Sequence, residues 1–550
     1  MQAIYNIAEI CARHGVEDVV LSPGSRCAPL TFAFVNHPAM QCKSITDERS
    51  AAYIALGMAL EKDKPVVLVC TSGTASLNYY PAIAEAYYQA IPLLVITADR
   101  PAEWIDQQDG QAIRQHHVYA NHIKKSWTLP TDHMQQDSMW HIERIVSEAL
   151  LLAQCPSKGP VHINAPFREP FYPKENEEIS YSEPKCIFAT ETEKSISHPL
   201  AIQSVVDASV KALIVVGQQK NNDALNKLLQ TVHVPILCDT IANVTCDTAV
   251  LHHDLFLGCL TSDKAAQLQP DLLITFGLSV VSKNTKLFLR KHKPKRHIHI
   301  GALDQLSDTF QVLSDVVDVN PAHFFETIKL PDQKEYVAQW NTYDKITQKE
   351  LSLLAVVKGF SEFKAIQYVL SCLPANIVLH VANSMPIRYV NFLHPPKMEI
   401  QANRGTSGID GSLSTAIGAS LADPTRLHVA ILGDLSFFYD RNALWNNYLP
   451  PNLKIVVLNN HGGGIFRMIQ GPKVRKECEE FFVTKQNLSA KITAIDHGLA
   501  YYSAYAEREL KEKIQLFLAE KGTALFEVFT DGMDNTTMFT EFKALLHSKY

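Results

Sequence analysis

The segment ILGDLSFFYD (431–440) places Asp434 where a run of aliphatic residues stops. Twenty-six residues on, LNNHGGGIF (458–466) places Asn460 at the end of the next such run. If one helix and one strand fill that interval, two neighbouring parallel strands bring a carboxylate, an amide oxygen and a pliable Gly backbone to one sheet edge. Those are ligands for a hard cation such as magnesium, which prefers one or two carboxylates, carbonyl oxygens and the oxygens of a bound phosphate. A helix expected to begin just after Asp434 adds backbone N–H groups for the same anion. Glycines 462–464 let the chain approach a ligand without Cβ clashes and free the Gly462 carbonyl to face the metal. The competing reading is an ordinary Gly-Asp turn at 433–434. No GxxxxGK[ST] occurs, and the acidic spacing after Asp434 does not fit an EF-hand loop. A second acidic candidate, Glu48 in SITDERSAAYIALGMAL, opens a helix, where it could do no more than complement the helix dipole.

These residues need a scaffold that collects them. Apolar runs such as VEDVVL, PVVLVC and PLLVITAD alternate with amphipathic segments and are punctuated by Gly and Pro, which predicts βαβ units around parallel sheets. The rhythm occurs three times, giving an α/β chain of three doubly wound domains: 1–180, 181–345 and 346–550. KENEEISYSEPK is the first linker candidate. In open sheets of this kind ligands bind beyond the carboxyl ends of strands. That edge would collect Ser25, Glu48, Ser72, Arg100, Arg404, Asp434 and Asn460. At 550 residues, 46% hydrophobic and 20% charged, the chain has the composition of a soluble protein. Its net charge of −6 is interspersed rather than blocked, so neither a nucleic-acid footprint nor a polybasic membrane anchor is expected. Eleven cysteines without a CxxC pair, no signal-like N-terminus and no long apolar span point to reduced thiols and a cytoplasmic location.

SPGSR (22–26), TADRP (97–101), QAIRQ (111–115), NS (383–384) with Arg388, and NRGTSGIDG (403–411) occur in this order over nearly the whole chain. Together with Gly-Asp and Asn-Asn at the spacing above, they make the chain resemble the MenD family of thiamine diphosphate-dependent 2-succinyl-5-enolpyruvyl-6-hydroxy-3-cyclohexene-1-carboxylate synthases. The resemblance implies a transferase of menaquinone biosynthesis that decarboxylates 2-oxoglutarate and adds the resulting succinyl carbanion to isochorismate in a 1,4 sense. It implies thiamine diphosphate and Mg2+ (or Mn2+), bound between the pyrimidine domain of one subunit and the diphosphate domain of another, hence a homodimer or a homotetramer. By the same resemblance Glu48 faces the aminopyrimidine ring, and Asp434, Asn460 and the Gly462 carbonyl hold the metal. Ser72, Gly433, Leu435, Ser436, Ile465 and Phe466 would complete the cofactor pocket, with Ile409 pressing the cofactor into its V shape. Ser384, Arg388 and Arg404 would hold the 2-oxoglutarate part, and Ser25, Arg26, Arg100, Gln111 and Lys283 would face isochorismate. Both substrates are dianions, and planar two-pronged guanidinium groups suit them.

Other readings stay open at this stage. His116-His117 resembles the paired histidines of thiamine-dependent 2-oxoacid decarboxylases, although adjacent histidines point apart and can be a surface pair. An acetolactate-synthase-like enzyme and a non-catalytic module of the same fold are further alternatives. The middle domain shows no GxGxxG, so neither a dinucleotide nor FAD is expected there.

Overall fold

The computed structural model describes residues 1–175, 178–190, 194–354, 359–469 and 471–550. The first linker candidate, 174–185, therefore lies partly outside the described residues. The described residues build three six-stranded sheets, each parallel throughout. Inner strands such as Val66–Cys70, Leu93–Asp99 and Leu453–Asn459 are buried along their whole length. Side chains on both faces are thus covered by helices, which explains the unbroken Val/Ile/Leu runs.

In the first sheet the strands Gln41–Ser44, Asp18–Leu21, Val66–Cys70, Leu93–Asp99, Val161–Pro166 and Ser126–Thr128 lie side by side in that order. Numbered along the chain, the order is 2-1-3-4-6-5. The third sheet repeats it with Glu399–Gln401, Val378–Val381, His428–Gly433, Leu453–Asn459, Ala524–Phe529 and Ala500–Ala504. The middle sheet runs 3-2-1-4-5-6, the order of dinucleotide-binding folds. Its switch point is closed, because the loops after Ala212–Val216 and Leu272–Phe276 hydrogen-bond to each other (Gln218 N–H to Ser279 O, 2.9 Å; Leu278 N–H to Gln218 O, 2.9 Å). A Cβ on Gly217 would lie 2.1 Å from the Leu278 carbonyl, so glycine is required for that crossing. Helix Lys334–Leu354 runs through residues 345 and 346, where the second domain boundary was expected. Among the described residues no helix is long and apolar enough to cross a membrane.

The first and third domains are locked together by helix Glu48–Lys62 against helix Ser412–Ala422. The two backbones touch through a reciprocal glycine contact. A Cβ on Gly57 would meet the Thr415 carbonyl at 2.1 Å, and one on Gly418 would meet the Ile54 carbonyl at 2.0 Å. This crossing sets where Glu48 and the Asp434 edge stand relative to each other within one chain.

Candidate active site

Strands His428–Gly433 and Leu453–Asn459 are direct parallel neighbours, with Gly433 opposite Leu458, so Asp434 and Asn460 emerge side by side. Asp434 is 2% exposed. Its Oδ1 accepts the Leu435 N–H at 2.7 Å, while Oδ2 accepts the Gly462 N–H and the Gln486 Nε2–H, both at 2.8 Å. Burial raises its pKa above the usual carboxylate value, and those donors pull it partly back. The Asn460 side chain donates Nδ2–H to Glu362 Oε1 at 2.7 Å. Its Oδ1 is buried and has no partner among the described residues. Glu362 is fully enclosed; burial, and then the charge of Asp434, push its pKa up to about 8. Among the described residues no cluster of three or more His, Cys, Asp or Glu could hold a metal by itself. One carboxylate, one orphaned amide oxygen and a glycine backbone at φ 153° form a partial shell, which phosphate oxygens would have to complete. The residues present fit a divalent cation carried with a diphosphate.

The helix that begins at Asp434 is short, Asp434–Asp440, followed by a 3-10 turn at Arg441–Leu444. Ser436 Oγ–H donates to the Ile409 carbonyl at 2.7 Å, and the Ile409 side chain stays 40% exposed. Ile465 and Phe466 lie half-buried in the 3-10 turn Gly464–Arg467, with Phe466 against Phe482 (5.6 Å between rings).

Arg388 and Arg404 come together beside the middle domain. The Arg388 Nη1–H group donates to the Ser384 carbonyl one turn back, and Ser384 itself sits at φ 74°. Arg404 donates Nη1–H to Asn383 Oδ1 at 2.7 Å, while its Nε–H is buried without a partner among the described residues. Burial lowers both guanidinium pKa values, and for Arg404 the neighbouring Arg388 charge lowers it further. A third cation joins them. Lys286, whose pKa burial and then Arg404 depress, lies one turn beyond Lys283 in helix Lys283–Lys291. Lys283 is exposed at the first turn of that helix. The Arg404 loop is held by Glu85 of the first domain, a buried carboxylate accepting the N–H groups of Gly405 and Thr406, both at 2.7 Å. Lys286, Glu85, Glu362 and Gln486 all went unremarked in the sequence. Each touches the site through long-range packing and carries no local motif.

At the first sheet's carboxyl edge Arg100 donates Nη1–H to Ser72 Oγ (2.8 Å) and pairs with Asp109 through Nε (2.8 Å). Arg26 stacks over Phe171, 4.6 Å from the ring centre, and donates to the Phe167 carbonyl at 2.7 Å. Burial, then Arg100, lowers its pKa. Ser25 and Gln111 are exposed, and the Gln111 carbonyl lies against Gly73 at the end of the Ser72 loop. Glu48 is half-buried and accepts a long 3.5 Å contact from Asn78. Among the described residues no hydrogen bond links it to Asp434 or Asn460. His116 and His117 are both exposed, edge to face at 4.1 Å, with His116 Nδ1 3.2 Å from Thr128 Oγ1.

The chain matches the family described as thiamine pyrophosphate enzyme, N-terminal TPP binding domain, over residues 1–122. It matches the corresponding C-terminal TPP binding domain family over residues 383–528. It is 44% identical to the 2-succinyl-5-enolpyruvyl-6-hydroxy-3-cyclohexene-1-carboxylate synthase of Cytophaga hutchinsonii, covering 100% of both chains. The chain belongs to this synthase family. The synthases of Flavobacterium psychrophilum (41% identity, 96% of this chain and 95% of that one) and Bacteroides thetaiotaomicron (38%, 99% of each) agree. The fold fits that membership: the two matched segments fall within the two sheets of identical strand order. The cofactor of the family is thiamine diphosphate, and its members are transferases.

Proposed function

We propose that this chain condenses 2-oxoglutarate with isochorismate to give 2-succinyl-5-enolpyruvyl-6-hydroxy-3-cyclohexene-1-carboxylate in menaquinone biosynthesis. The observation that carries the reading is a cation cluster centred on Arg404, which Arg388 and Lys286 repel and Asp239 only partly offsets, with the Arg404 Nε–H buried and unpaired among the described residues. Such a cluster stores an unfavourable interaction that an arriving dicarboxylate relieves. Thiamine diphosphate, when bound, supplies the electron sink that lets 2-oxoglutarate lose carbon dioxide. The protein does the rest by position and charge. Asp434, Asn460 and the Gly462 carbonyl hold Mg2+ or Mn2+ against the diphosphate. Glu48 holds a proton at the aminopyrimidine ring nitrogen. Arg388 and Arg404 grip the carboxylates of 2-oxoglutarate with Ser384, and Arg26 and Arg100, with Ser25, Gln111 and Lys283, receive isochorismate, while Ser72 belongs to the cofactor pocket.

In this reading the three domains are a pyrimidine-binding domain (1–180), a central domain (181–345) and a diphosphate-binding domain (346–550). The working unit is a homodimer, in which Glu48 of one subunit completes the site that Asp434 of the other begins. Supporting this are exposed apolar side chains near both half-sites: Leu77 beside the Glu48 contact Asn78, and Ile409, Phe481 and Ile492 on the Asp434 side. The solvent-facing His116 and His117 lend no support to the decarboxylase reading. Eleven cysteines, all free, suit a reducing compartment, the cytoplasm.

The deciding assay supplies thiamine diphosphate, Mg2+ and 2-oxoglutarate with and without isochorismate. Carbon dioxide release that depends on isochorismate supports the synthase. Equal release of carbon dioxide with free aldehyde in its absence overturns it in favour of a decarboxylase.

A further inference from the structure

We infer that Glu362 and Gln486, both outside the Gly-Asp and Asn-Asn segments, are positioning residues that decide which atoms of Asn460 and Asp434 are offered to the divalent cation. The inference rests on the reading of Asp434 and Asn460 as metal ligands. An asparagine amide has two ends of nearly equal shape and opposite character, and only the oxygen end can ligate a cation. What selects the end is the partner of the other one. Here Nδ2–H donates to Glu362 Oε1 at 2.7 Å, which holds the amide with its nitrogen end on the carboxyl group. Glu362 is itself immobilised. It opens helix Glu362–Cys372, lies 3% exposed, and its N–H donates to Asn535 Oδ1 at 2.9 Å in the C-terminal helix Gly532–Lys549. Asn460 Oδ1 is thereby left buried, unpaired and aimed away from Glu362.

Gln486 makes the matching choice for Asp434. Its Nε2–H group donates to Asp434 Oδ2 (2.8 Å) and Asn459 Oδ1 (3.1 Å), its Oε1 accepts the Leu488 N–H, and its own N–H donates to the His461 carbonyl at 3.2 Å. With the Gly462 N–H also on Oδ2, that oxygen has two donors and Oδ1 has one. The remaining acceptor site of the carboxylate is therefore on Oδ1. Partners behind metal ligands tune affinity without touching the metal, and their loss typically costs about 10- to 100-fold in metal binding.

The test measures how much Mg2+ is required for thiamine diphosphate to bind, by calorimetry on the purified full chain, alongside thermal melting without cofactor. Glu362→Leu should raise the Mg2+ requirement about 10- to 100-fold. Glu362→Gln keeps an acceptor for Asn460 and should restore it to within about threefold of wild type. A Glu362→Leu protein that melts earlier but keeps the wild-type Mg2+ requirement has lost only packing, and overturns the inference. So does a Glu362→Gln protein as impaired as Glu362→Leu. If Glu362→Leu does not fold, Gln486→Met decides: a raised requirement upholds the inference and an unchanged one overturns it. Asp434→Ala serves as the separate control. If its Mg2+ requirement is unchanged, the metal reading itself fails, whatever Glu362 does.

Discussion

Arg404 offers the sharpest test of how the site recognises 2-oxoglutarate. One of its donors is committed to Asn383 Oδ1, whereas Nε–H is buried with nothing to bond, and Arg388 and Lys286 crowd it with like charge. The uncommitted edge of the guanidinium can meet a carboxylate in the two-pronged manner. A charge-assisted hydrogen bond contributes about 1.5–3 kcal/mol, and a donor left unpaired in a buried site costs about 1–3 kcal/mol. Removing Arg404 also removes repulsion within the cluster, which offsets part of the loss. A net loss of about 2–4 kcal/mol is expected for Arg404→Ala, which is about 30- to 700-fold in kcat/KM for 2-oxoglutarate. Arg404→Lys keeps the charge without the fork and should fall between the two. Steady-state kinetics with each substrate varied separates the effects, because kcat/KM for isochorismate should change by less than about threefold if Arg404 serves the first substrate only. A loss below about threefold for 2-oxoglutarate, or an equal loss for both substrates, would refute the assignment.

Two further perturbations probe the scaffold. Burial pushes the pKa of His133, His297 and His428 down to about 4 and that of His162 and His394 to about 3. The unfolded chain takes up these protons near pH 6.5 and the folded one does not, so stability present above pH 6.5 is lost as pH falls toward 4, at up to about 1.4 kcal/mol per unit and group. Asp440, raised to about 6, Glu362, raised to about 8, and the raised Asp99 and Asp434 act in the opposite sense, but with His14, His292, His299 and His380 also lowered the histidines outnumber them and set the sign in this window. Urea unfolding midpoints should therefore fall steadily from pH 7 to pH 5, and a flat profile would contradict the burial of neutral histidines. At the crossing of the two central helices, Gly57→Ala forces a Cβ onto a backbone carbonyl and should cost about 1–3 kcal/mol. Adding Gly418→Ala should cost less than the sum of the single changes, because both open the same contact. Strict additivity in urea unfolding would count against that contact.

The sequence carried the parts of the site that local rules govern. The interval from Asp434 to Asn460 is one helix plus one strand, so their juxtaposition follows from βαβ geometry alone, and strands His428–Gly433 and Leu453–Asn459 are indeed neighbours. Long-range choices were not legible. Glu362 reaches Asn460 from 98 residues away, and Glu85 reaches Gly405 from 320, with no periodicity to announce either. Lys283 and Lys286 stand one turn apart on the same short helix, and only burial within reach of the Arg404 charge distinguishes Lys286 from the exposed Lys283. The strand Ser126–Thr128 is too short at three residues to show an alternation or a hydrophobic run, so the first sheet's outer edge escaped notice.

The central claim is that one cofactor is held at its ring by Glu48 of one subunit and at its diphosphate by Asp434 of the other. A hybrid dimer of one Glu48→Gln chain and one Asp434→Ala chain, isolated through two different affinity tags, tests it directly. Each parent dimer should be inactive, whereas the hybrid should regain about half the wild-type activity, because one of its two symmetry-related sites has both residues intact. A hybrid as inactive as its parents would mean that both residues serve a site within one chain, and would contradict the account.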